Sequence, residues 1–258
     1  MEVSSVLAGW TGKTEPRNCP NHGEYMAMSV RGRFSPCPTC LENRLSDEDR
    51  DASKVIQQQQ MDIRSKRIVD ESNIPSRFLD RRLSNFVAEN EGQQSALEAC
   101  QSYADHFAEM RNIGRSLIFV GKPGTGKTHL AVGIAHEIMT QGYTALYSSV
   151  LRALRSVKDG FSTTGESETA VVKRLAVPDL LILDEAGISY ETDAEAMILY
   201  EIVNQRYEEK KPTLFTSNYT LAELKTVMGE RVIDRLREGD GRIVHFEWSS
   251  WRARKDAS

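Results

Sequence analysis

The sequence predicts an α/β fold: a five-stranded, mainly parallel sheet covered by helices and preceded by a small separate domain. Three observations carry this expectation. From Ile74 onward, short apolar runs alternate with stretches whose apolar residues recur at helical spacing, the pattern of strands joined by crossover helices. One strand-to-helix junction holds a glycine-rich octapeptide, GKPGTGKT, at residues 121–128. Well before it, three of the four cysteines fall with one histidine inside residues 19–40.

Composition sets the outer limits. The 258 residues are 40% hydrophobic and 27% charged, enough for one full domain and a smaller one. No apolar run approaches the ~18 residues of a membrane span, so no membrane partner is expected. The opening MEVSSVLAGW is too polar and too poor in cations for a secretory signal, which points to the cytoplasm. At a net charge of −4, nucleic-acid binding requires a local basic patch.

The first element is the cysteine cluster. Cys19 and His22 are separated by two residues, as are Cys37 and Cys40. Such pairs each grip one face of a tetrahedral Zn²⁺, and Pro20, Gly23, Pro36 and Pro38 suit the turns that aim them at one point. A disulfide or reduced thiols are the alternatives, but three cysteines cannot pair fully and a cytosolic chain is kept reduced. Four protein ligands leave no open position, so the zinc would be structural, stapling a segment too small for its own core. Cys100 reads as a buried small apolar residue. Residues 1–45 are therefore expected to form a zinc-binding recognition domain. Residues 46–72, rich in Gln and charge, would be a solvated helical linker or a disordered tether. Residues 73–258 would be the large domain.

Within the large domain, strands are expected at 116–120, 144–148, 179–183, 213–217 and 243–247, with helices at 128–140 and 195–207. The octapeptide follows the first strand and opens the first of these helices, the context of a phosphate-binding loop. Gly121, Lys122, Pro123, Gly124, Thr125 and Gly126 would curl so that backbone N–H groups face phosphate oxygens. Lys127 would reach the β- and γ-phosphates, and the Thr128 hydroxyl would ligate Mg²⁺. LLILDE, residues 180–185, is a buried strand delivering two acids at its C-terminal end, where ligands of parallel sheets bind. Asp184 can hold magnesium through its water shell, and Glu185 can polarise an attacking water. TLFTSN ends on Asn218, whose amide would orient that water or touch the γ-phosphate, although Asn is also an ordinary turn former.

GKPGTGKT, LLILDE and TSN, in this order, resemble an AAA+ ATPase. GERVIDRLREG (229–239) and HFEWSSWRAR (245–254) narrow the resemblance to bacterial replicative-helicase loaders of the DnaC/DnaI type, in the IstB-like ATP-binding branch. The cysteine/histidine knuckle is similar to the DnaI-like members. The resemblance implies a sheet without a full helical lid, with Pro75 and Phe78 near the adenine of ATP. It implies that Asn218 is a first sensor, Arg235 an arginine finger with Arg231 beside it, and Arg252 a second sensor. A finger acts on a neighbouring subunit's γ-phosphate and contributes about 10³–10⁵ in rate, so self-association through the ATP site follows. Single-stranded DNA would meet Lys158 and Phe161 by phosphate contact and base stacking. Tyr190 also flanks that region, in a poor DNA surface. The implied function is an ATP-dependent loader that delivers the hexameric replicative DNA helicase onto single-stranded DNA. Its ATPase would be slow alone and stimulated by oligomerisation or DNA. The alternative is the ATPase partner of a transposase.

Overall fold

The computed structural model describes residues 12–30, 33–46, 70–159, 167–186 and 192–251. Contacts divide the chain into two units, Met1–Arg64 and Ser65–Ser258. The predicted linker lies mostly outside the described residues.

The first unit is a three-stranded antiparallel sheet, β1 (Lys13–Cys19), β2 (Gly23–Val30) and β3 (Arg33–Phe34), followed by helix α1 at 38–46. β1 and β2 form a tight hairpin closed at Cys19 opposite Gly23. Ala27 is fully buried, whereas β1 is exposed at every position but Cys19.

The second unit is built on five strands, all paired in parallel. These are β4 (Leu117–Gly121), β5 (Ala145–Ser149), β6 (Leu180–Ala186), β7 (Thr213–Ser217) and β8 (Arg242–Phe246), in the spatial order β5-β6-β7-β4-β8. Side chains alternate between two cores, as strand geometry requires. Leu117, Phe119, Leu180, Ile182 and Leu214 face one core, and Ile118, Val120, Leu181, Leu183 and Phe215 face the other. Each such side chain, fully buried, contributes about 1.5–3 kcal/mol. Helices α2 (Glu91–Asp105), α3 (Phe107–Ile113) and α4 (Lys127–Thr140) contribute to the first core. Helices α5 (Val150–Asp159), α6 (Glu168–Ala176), α7 (Asp193–Glu208), α8 (Leu221–Met228) and α9 (Glu230–Arg237) cover the other. The predicted strands match to within a residue except at the end of β6, which runs three residues further, to Ala186. Among the described residues no helical bundle follows β8, and no helix is long and apolar enough to cross a membrane.

Two features fix the frame. Ahead of α2 the chain makes two single 3₁₀ turns, Ser76–Phe78 and Leu83–Asn85, and the Ser72 carbonyl accepts the Tyr147 N–H of β5 at 2.7 Å. At the opposite end of the strands, Arg206 of α7 is fully buried. Its guanidinium donates to the carbonyls of Leu175, Ala176, Pro178, Asp179 and Pro212 and to the Thr213 hydroxyl. One side chain thus ties the end of α6 to the starts of β6 and β7. Cys100 is buried in the core, where desolvation pushes its thiol well above the ordinary range.

Candidate nucleotide and metal sites

In the first unit the β1–β2 turn brings Cys19 to His22, while Cys37 just ahead of α1 and Cys40 in its first turn complete the group. Nδ1 of His22 lies 3.7 Å from Cys19 Sγ, 3.7 Å from Cys37 Sγ and 3.2 Å from Cys40 Sγ, and Cys19 Sγ lies 3.6 Å from Cys40 Sγ. All four atoms fall within 4.8 Å of one another. Ligands about 2.0–2.3 Å from a tetrahedral centre stand about 3.3–3.8 Å apart, so the donor set and its spacing fit zinc. The charges fit as well. The Asn21 backbone N–H draws the Cys19 thiol down to about 6, and the adjacent Cys19 pushes Cys40 up to about 11. A cation among them removes that mutual repulsion and stabilises all the thiolates. All four cysteines are free of disulfides.

In the second unit the glycine-rich loop bridges β4 and α4. Gly121 ends β4 at φ 144°, and a Cβ there would lie 2.2 Å from the Phe246 carbonyl oxygen. Gly126 caps α4 at φ 98°, with Phe86 so close that a Cβ would come within 2.7 Å of its ring. Only glycine meets both demands. Lys127 Nζ donates to the Gly121 and Lys122 carbonyls at 2.6 and 2.8 Å. Burial lowers its pKa to about 8, with the Asp184 charge opposing. The segment after β8 braces the loop from outside: Trp248 Nε1 donates to the Thr125 carbonyl, and the Trp251 N–H to that of Gly124, each at 2.9 Å.

The acid pair sits on a deformed strand. β6 carries one more residue than β7 between the pairs Leu183↔Phe215 and Ala186↔Ser217, and Glu185 takes up the bulge at φ 61°. Asp184 stays buried while Glu185 is exposed. Asp184 Oδ1 accepts from the Thr216 hydroxyl, the Glu185 N–H (3.1 Å) and the Thr128 hydroxyl (3.2 Å). Oδ2 accepts from Tyr147 and Thr128. Burial, then the Asp184 charge, hold the Tyr147 phenol protonated, far above its ordinary range.

One cavity of about 720 Å³ gathers these groups: Pro123 to Thr128, Asp184, Glu185 and Asn218, with Phe78, Phe86 and Trp248 supplying aromatic walls. Loop amides, a cation, a hydroxyl paired with a buried carboxylate, and apolar walls are the donor set for a magnesium nucleoside triphosphate. Arg235 does not line it. It lies on α9 with its guanidinium 4.3 Å over the Tyr207 ring and 3.5 Å from Glu238. Lys158 lies on α5 and is ion-paired to Glu195 at 2.7 Å. Phe161, Tyr190 and Arg252 lie outside the described residues, Arg252 following directly on the loop-anchored Trp251. Tyr147, Thr216 and Trp248 are the site residues that sequence reasoning missed.

The parallel sheet, its strand order, the glycine-rich loop and the acid pair at the end of β6 define an AAA+ P-loop protein with a nucleotide site. The chain belongs to the IstB-like ATP-binding family, whose model matches residues 86–257. The replicative helicase loader DnaC of Escherichia coli K12 is 35% identical over 202 residues, covering 78% of this chain and 81% of that protein. A crystal structure of the DnaC helicase loader superposes with a TM-score of 0.60 at 26% identity, covering 66% of this chain and 99% of that one. A crystal structure of DnaI shares the fold at 21% identity and a TM-score of 0.57, covering 69% of this chain and 94% of that one.

Proposed function

We propose that the chain is an ATP-dependent loader that binds the hexameric replicative DNA helicase and delivers it onto single-stranded DNA at replication initiation. The likeness to a named helicase loader across most of both chains, with the glycine-rich loop, the Asp184–Glu185 pair and Asn218 around one cavity, carries this reading. Lys127 and the amides of the 121–128 loop bind the triphosphate, and Thr128 with Asp184 holds the magnesium. When bound, that ion offsets charge on the phosphate oxygens. Glu185, ejected toward solvent by the bulge, orients and polarises the attacking water, with Asn218 beside it. Arg235, away from its own cavity, serves a neighbouring subunit, and Arg252 reads nucleotide within its own. Turnover is therefore slow alone and rises on self-association or on single-stranded DNA. In DNA binding Lys158 acts with Phe161 and must exchange Glu195 for phosphate. Residues 1–45 form the zinc-stapled helicase-docking domain, 46–72 the linker and 73–258 the ATPase domain.

The docking reading predicts that purified protein carries one zinc per chain by metal analysis. Stripping the zinc with a strong chelator then abolishes helicase binding while nucleotide binding persists. Retained helicase binding in zinc-free protein would remove the docking role. The function itself is tested by size-exclusion chromatography with the host's hexameric replicative helicase and ATP. Co-elution as one large complex, lost on deleting residues 1–45, is expected. Folded, ATP-bound protein that elutes alone would favour the transposase-partner reading.

A further inference from the structure

Tyr147 lies in β5, two residues before Ser149, which pairs with Asp184 across the sheet. It is 5% exposed, and its hydroxyl donates to Asp184 Oδ2 at 2.5 Å. Its backbone is held independently by the Ser72 carbonyl, and its ring packs 6.3 Å from that of Phe78, a wall of the cavity. From the opposite side Thr216 of β7 donates to Oδ1. The carboxylate is thus clamped between two strands, one hydroxyl on each oxygen, with the Thr128 hydroxyl 3.1–3.2 Å from both. Buried bonds to an ionised acceptor are among the stronger and more orienting polar contacts available to a protein.

We propose that Tyr147 is a positioning residue whose hydroxyl fixes the rotation of the Asp184 carboxylate opposite Thr128, and so sets how strongly magnesium reinforces nucleotide binding. The inference rests on reading the cavity as a nucleotide site. The hydroxyl's bond is to Asp184, whereas Lys127 and the loop braces are bonded elsewhere. Its removal therefore weakens the metal-dependent part of the affinity and spares the metal-free part. A general packing defect would weaken both.

The experiment titrates the full chain with a fluorescent ATP analogue in Mg²⁺ and again in EDTA. In wild type, magnesium tightens binding. In Tyr147→Phe, which keeps the ring, that tightening falls about tenfold while the affinity in EDTA stays unchanged. Tyr147→Met, which also lacks the hydroxyl, should behave alike, and it carries the test if Tyr147→Phe fails to fold. An undiminished magnesium effect in the variant, or equal weakening in both media, would overturn the assignment. Wild-type protein that binds no nucleotide would instead overturn the nucleotide-site reading, and the assignment with it.

Discussion

Arg206→Met should destabilise the second unit by about 3–5 kcal/mol and lower its melting temperature by roughly 10 °C. Methionine replaces the aliphatic stem but offers no donors, and the guanidinium serves five carbonyls and a hydroxyl. Those acceptors stand at the end of α6 and at the starts of β6 and β7, around a fully buried side chain. Arg206→Lys should lie in between, because one ammonium cannot reach acceptors spread over three segments. Burial lowers the Arg206 pKa to about 9, which leaves it charged at neutral pH. Thermal melts followed by circular dichroism measure the effect. A shift under about 2 °C would mean that the carbonyls find other partners and that the hub is dispensable.

The second large effect concerns chemistry. Glu185→Gln should leave ATP affinity unchanged and reduce hydrolysis about 10²–10⁴-fold, the usual contribution of a positioned general base. The amide keeps the size and the polar tip of the side chain but cannot accept a proton. The backbone at Glu185 already tolerates φ 61°, held by N–H bonds to Asp184 Oδ1 and Thr216 Oγ1 that do not involve its side chain. Single-turnover hydrolysis with helicase and single-stranded DNA present is the suitable assay. A variant hydrolysing at the wild-type rate would assign the base elsewhere.

Legibility in the sequence followed distance along the chain. The central strands β4, β6 and β7, buried on both faces, read as short apolar-rich runs, and the edge strands β5 and β8 as apolar patches beside them. The Cys/His cluster was visible because each of its two pairs lies within four consecutive residues. β1 was not: KTEPRNC contains a proline, is exposed almost throughout, and offers no apolar alternation. The acids read as the C-terminal end of β6, but the bulge that carries the strand on to Ala186 leaves no compositional trace. Tyr147 and Thr216 reach Asp184 from 37 and 32 residues away, and Trp248 reaches the loop from 123. Nothing local announces such contacts. The pairing of Lys158 with Glu195, 37 residues further on, was hidden for the same reason.

The bond from Ser72 to the Tyr147 amide has a consequence unrelated to ATP. β5 is the outermost strand on its side of the sheet, and an open edge with unpaired amides is a template for another molecule's strand. By spending a carbonyl there, the chain blunts its own edge. The edge is thereby less available for pairing with the strand of another copy.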